Sequence, residues 1–177
     1  MSTVYTIGHS SHSFETFVGL LAGHEIEVVV DTRSAPYSKF APHFDRAALQ
    51  KDLTASAIKY LFLGDQLGGR PRGDEFYDAA GRVLYGKRTS APAFLAGMER
   101  LERGIAQFRV ALMCGEEDPT HCHRRLLVGQ MLTERGHELL HIRADGRFET
   151  ESQVACALKK PLVIPQPTLF AELDADQ

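Results

Sequence analysis

Two rhythms of apolar residues divide the chain. Residues 4–8, 26–30, 60–63, 107–114 and 138–142 are short apolar-rich runs bounded by polar or glycine-containing segments. Runs of that length and density predict strands, the 26–30 run being of the kind buried on both faces of a parallel sheet. Between them the spacing turns helical. Ser13 is placed to cap a helix whose Phe14, Phe17, Val18 and Leu21 share one face, with Gly23 as its stop. Asp45 is placed to cap a short helix reaching Leu53, stapled by Phe44. Ser90 opens a helix with Phe94, Leu95, Met98 and Leu101 on its face, closed by Gly104. A last helix runs from His121 through Leu127, Met131 and Leu132 to Gly136. Residues 74–90 show no clean period and read as a partly helical cover. Strands alternating with helices predict one three-layer α/β/α domain, residues 1–158, around a mainly parallel sheet of about five strands. Residues 159–177, broken by Pro161, Pro165 and Pro167, read as an extended tail.

The polar residues that this pattern does not explain fall at strand ends. His9 and Ser10 follow the first strand, Asp31 and Arg33 the second, and a glycine-rich loop with Arg70 and Arg72 the third. The fourth strand ends at Cys114 and is followed by Glu116, Cys122, His123 and Arg124. Ligands of open α/β sheets sit beyond the carboxyl ends of the strands, so these segments converge on one site. Cys122, His123 and Arg124 occupy the first turn of the 121–136 helix, where free amides and the macrodipole favour an anion and depress a thiol pKa. Cys122 is therefore the candidate nucleophile, with His9, His123 and Asp31 as candidate acid, base or orienting groups. Ser10, Arg33, Arg70, Arg124 and Glu116 are the candidate substrate- or anion-binding residues. Arg124 is expected to face solvent. Each has a plainer reading: Asp31 and Arg33 as a structural ion pair, Cys122 as a small capping residue, Gly68-Gly69-Arg70 as an ordinary turn. Cys114, His121, Cys122 and His123 also offer thiols and imidazoles to a metal, but not at the close pair spacing of structural zinc sites, so no metal is expected.

Composition narrows the setting. A chain of 177 residues supports one α/β core. The net charge of −3 supplies no global field for nucleic acid, so any such contact needs a local basic patch. Three cysteines argue against a disulfide framework, and no run approaches the roughly 18 apolar residues of a membrane span. A cytoplasmic location without membrane contact is expected.

Thr6-Ile7-Gly8-His9-Ser10, Val30-Asp31-Thr32-Arg33-Ser34, Leu63-Gly64-Asp65-Gln66-Leu67-Gly68-Gly69 and residues 113–124, from Met113 through Cys114 and Cys122 to Arg124, together resemble the bacterial family known as domain of unknown function 488. The resemblance implies a single α/β domain with these polar residues at its strand ends, and it carries no activity with it. In the tail, Gln166, Leu169 and Phe170 form a Gln-x-x-Leu-Phe peptide similar to those by which bacterial repair and replication proteins dock on the DNA sliding clamp. The leading expectation is an anion-binding enzyme acting on a nucleotide or nucleic acid in DNA maintenance. A non-catalytic nucleic-acid or nucleotide-binding module and a metal-dependent hydrolase or sensor are the alternatives.

Overall fold

Strands β1 (Thr3–Gly8), β2 (Val28–Asp31), β3 (Lys59–Phe62), β4 (Val110–Cys114), β5 (Glu138–Ile142) and β6 (Phe148–Thr150) form one sheet in the order β3-β2-β4-β1-β5-β6. The computed structural model that defines them describes residues 2–159. The first five strands are parallel, and β6 pairs antiparallel with β5. Residues 160–177, with Gln166, Leu169 and Phe170, lie outside the described residues.

Both sheet faces are covered, which is why the strand sequences are apolar without alternation. Helices α1 (Phe14–Gly23) and α2 (Arg46–Ala55) cover one face, burying Phe17, Leu21, Leu49 and Leu53 against Tyr5, Ile7, Val29 and Met113. The other face carries the single turn α3 (Gly64–Leu67) and α5 (Pro92–Ile105), reached through the short helix α4 (Tyr85–Thr89). It also carries a π-helical segment (Arg124–Gly129) that continues as α6 (Gln130–Glu134). Phe94, Met98, Leu101, Leu127 and Leu132 pack there on Val28, Val30 and Leu112. Helix α7 (Glu151–Lys159) follows β6.

Several local expectations change. Ser13 does cap α1, accepting the amide of Thr16. Asp45 occupies the N-cap of α2, but its carboxylate accepts the amide of Ser38 instead of a helix amide. Ala91, not Ser90, is the N-cap of α5; the Ser90 hydroxyl donates back to the carbonyl of Gly86. Leu95 is exposed, and Ile105 completes the core face in its place. Strand β6 and helix α7 have no counterpart in the sequence reading. A three-residue strand is too short to show a period, and α7 buries only Val154 from its apolar residues.

The chain leaves β2 toward the α1/α2 face and β4 toward the α5/α6 face. Adjacent strands that diverge in this way open a crevice at their carboxyl ends. That crevice places the site.

Candidate functional site

A cleft of about 340 Å³ opens at the carboxyl ends of β1, β2 and β4. Its lining includes His9, Arg33, Ser34, Tyr37, Ser38, Gly69, Arg70, Cys114, Gly115, Glu116 and His123. Of the residues named from sequence, His9, Arg33, Arg70, Glu116 and His123 therefore meet here. Cys114, not Cys122, is the thiol that lines the cleft.

Cys114 is the last residue of β4, so its position is set by the sheet ladder, where Gly8 is its partner on β1. Its Sγ lies 3.7 Å from Nδ1 of His123, and Cys122 Sγ lies 4.0 Å from the same nitrogen. The other ring nitrogen, Nε2, is 2.9 Å from the Thr32 carbonyl. A carbonyl only accepts, so Nε2 carries a proton and Nδ1 is the atom turned to the sulfurs. The neighbouring Cys122 thiol, His123 and the amide of Glu116 hold Cys114 far below the ordinary thiol range despite burial. Cys122 is pushed up, first by the neighbouring Cys114 and then by burial. Burial alone would lower His123, but its hydrogen bond and charge contact with Cys114 win and raise it. Cys114 and His123 thus favour each other's charged forms, with the Cys122 thiol beside them.

Gly69 explains why a glycine-rich turn follows α3. A Cβ there would sit 2.6 Å from Cγ of His123, so the turn packs its bare backbone on the imidazole ring. The turn thereby holds His123 in place.

Arg33 and Asp31 form the second group. Arg33 donates Nε and Nη2 to the two Asp31 oxygens at 3.0 and 2.7 Å, and Nη2 also reaches the Phe44 carbonyl at 2.8 Å. Asp31 accepts the Tyr60 hydroxyl at 2.7 Å as well and is fully buried. With its oxygens engaged and no cleft exposure, Asp31 orients Arg33 and does not meet a substrate. His9 donates Nδ1–H to the Ser10 carbonyl at 2.9 Å, and its Nε2 accepts from Arg33 Nη1 at 3.1 Å. Burial, assisted by Arg33, holds His9 below the ordinary imidazole range, so it is neutral near pH 7. Ser10 contributes its backbone, in a left-handed conformation at φ 47°, and its side chain lies outside the cleft lining.

Arg124 is not a solvent-facing anion ligand. It is fully buried, donating Nη1 to the Glu116 carbonyl, Nη2 to the Glu117 carbonyl at 2.7 Å and Nε to Thr6 Oγ1 at 3.3 Å. Its work is to fold the 115–118 loop over the end of β4. Thr6 accepts from Arg124, so its hydroxyl donates to Nδ1 of His141, and Nε2–H of His141 then donates to Glu151 at 3.0 Å. Glu151 also takes a forked pair of bonds from Arg125. This buried chain from α7 to the loop was invisible in the sequence reading because its members lie up to 135 positions apart. Cys114 was missed as the leading thiol for a related reason: a strand-end cysteine inside an apolar run reads as core.

Residues 13–131 match the family model described as Domain of unknown function DUF488. The chain belongs to this family. The part matched as DUF488 holds Arg33, Gly69, Cys114 and His123, and it starts after His9. No curated protein and no solved structure matches the chain.

Cys114, Cys122 and His123 also present two sulfurs and a nitrogen within 4.8 Å of one another. His121 is exposed and stands outside this DUF488 cluster. Among the described residues no helix is long and apolar enough to cross a membrane.

Proposed function

We propose that the protein is an enzyme of phosphoryl-group chemistry in which the Cys114 thiolate is the nucleophile. One observation carries the reading: the Cys114 thiol lines a cleft together with Arg33 and His123, with Nδ1 of His123 3.7 Å from its sulfur. The substrate class is a phosphate ester, held by Arg70 and by the Arg33 Nη1 proton not given to His9. In the first step an S–P bond forms as the ester P–O bond breaks, and His123 gives its Nδ1 proton to the leaving oxygen. In the second, water attacks phosphorus, neutral His123 takes its proton, and the S–P bond breaks to restore the thiolate. Cys122 stabilises the thiolate between turnovers. The peptide carrying Gln166, Leu169 and Phe170 supports a nucleotide or nucleic-acid ester in DNA maintenance, recruited through the sliding clamp.

Iodoacetamide alkylation followed by mass spectrometry tests the central assignment, with exposed Cys156 as internal reference. Cys114 is expected to react at pH 6 nearly as fast as at pH 8, whereas an unshifted thiol of pKa near 8.5 loses about 99% of its thiolate over that range. A Cys114 that gains reactivity only in step with Cys156 refutes the nucleophile assignment and leaves a non-catalytic binding module. A second reading is favoured by the three clustered donors. A thiophilic divalent ion would be held by Cys114, Cys122 and His123 with a side open to the cleft, and His123 already gives its other N–H to a carbonyl, as metal-bound imidazoles do. Stoichiometric zinc in the purified protein, together with loss of Cys114 alkylation, selects that reading.

A further inference from the structure

Beside the cleft, and sharing Ser34 and Arg70 with it, lies a second recess of about 400 Å³. Its walls include Arg72, Phe76, Arg88 and the start of α5 at Ala91, Pro92 and Ala93. Arg88 is 3% exposed. Its Nη2 donates to the carbonyls of Asp65 and Gln66 at 3.3 and 2.6 Å, and the guanidinium lies 5.5 Å from the Phe76 ring centre and 5.7 Å from that of Phe94. Its Nε is buried without a hydrogen-bond partner, and no carboxylate pairs with it among the described residues. A cation taken out of water with only neutral dipoles and rings around it is left uncompensated.

The start of α5 presents the same imbalance. Its N-cap is Ala91, which has no hydrogen-bonding side chain to offer the first turn, and no acidic residue occupies that turn. Pro92 has no amide hydrogen, so the N–H groups of Ala93 and Phe94 are the orphan donors at the positive end of a 14-residue helix. Arg70 and Arg72 stand at the recess without ion-pair partners among the described residues, and Asp65 is its one acidic wall residue.

We propose that this recess is a phosphate subsite: the bare first turn of α5 and the Arg88 guanidinium bind a phosphate group, with Arg70 and Arg72 at its edge. Resting on the reading of the Cys114 cleft given above, the subsite defines the substrate class as an ester with two phosphate groups. One anchors in the recess; the other reaches the thiolate past Ser34. Helix amides and a guanidinium are the donors that oxyanions take most readily.

Calorimetric titration of the full chain with inorganic phosphate tests it. The wild-type chain is expected to bind at least one equivalent. Arg88→Met and Ala93→Asp are each expected to weaken binding about tenfold or more, the worth of one charge-assisted hydrogen bond. Ala93→Asp places a carboxylate where the phosphate would lie and complements the helix dipole, so its fold is retained or strengthened. Phenyl phosphate is expected to compete with inorganic phosphate, because the recess continues into the cleft. Undetectable phosphate binding by the wild-type chain, wild-type affinity in both variants, or exclusion of phenyl phosphate overturns the subsite. These outcomes are separable from failure of the thiol reading: Cys114→Ser is expected to keep phosphate affinity, and Ala93→Asp to keep fast Cys114 alkylation.

Discussion

Replacing Arg124 by Met separates the two roles this side chain could have. Met keeps most of the buried stem but removes three donated hydrogen bonds, to the carbonyls of Glu116 and Glu117 and to Thr6 Oγ1. Bonds from a charged donor contribute about 1.5–3 kcal/mol each, and carbonyls left behind without a donor keep their full desolvation penalty. Relief from burying the guanidinium offsets part of this, because no carboxylate pairs with Arg124 among the described residues. The net loss is then about 3 kcal/mol, which for a domain of this size lowers Tm by about 6–12 °C. The freed 115–118 loop also withdraws the Glu116 amide from Cys114, so alkylation at pH 6 slows. Scanning calorimetry gives the first quantity and mass-resolved alkylation the second. A variant that melts within about 2 °C of wild type, yet no longer binds phosphate, would show that Arg124 is an exposed anion ligand and refute its structural role.

Two further outcomes follow from the same geometry. Gly69→Ala is expected to slow Cys114 alkylation at pH 6 without unfolding the chain, because the new Cβ would meet His123 at 2.6–2.9 Å; Gly19→Ala on α1, where nothing lies within 4 Å, is the neutral control. Stability is expected to fall as pH drops from 6.5 to 5. His9 and His141 are held low in the folded state, chiefly by burial, so the unfolded chain binds protons that the native one refuses below pH 6.5. His123 is shifted upward and has delivered its stabilisation by pH 6.5, so it does not mask the effect. A melting temperature that stays level or rises over this range contradicts the burial of neutral imidazoles.

The apolar rhythm by itself located the five parallel strands along the chain, because a strand buried on both faces must be apolar along its length; their order in the sheet came from the tertiary structure. It also determined that the unexplained polar residues gather at one sheet edge, since parallel strands end on the same side. His9, Arg33, Arg70, Glu116 and His123 do meet there. Only the tertiary structure decided which thiol looks into the cleft, that Asp31 and Arg124 are walled in, and that Glu151 and His141 brace the loop from behind. The physical reason is the same in each case. A charged or polar side chain can be buried only where distant carbonyls, hydroxyls or carboxylates complete its hydrogen bonds, and local spacing carries no record of partners more than a hundred residues away.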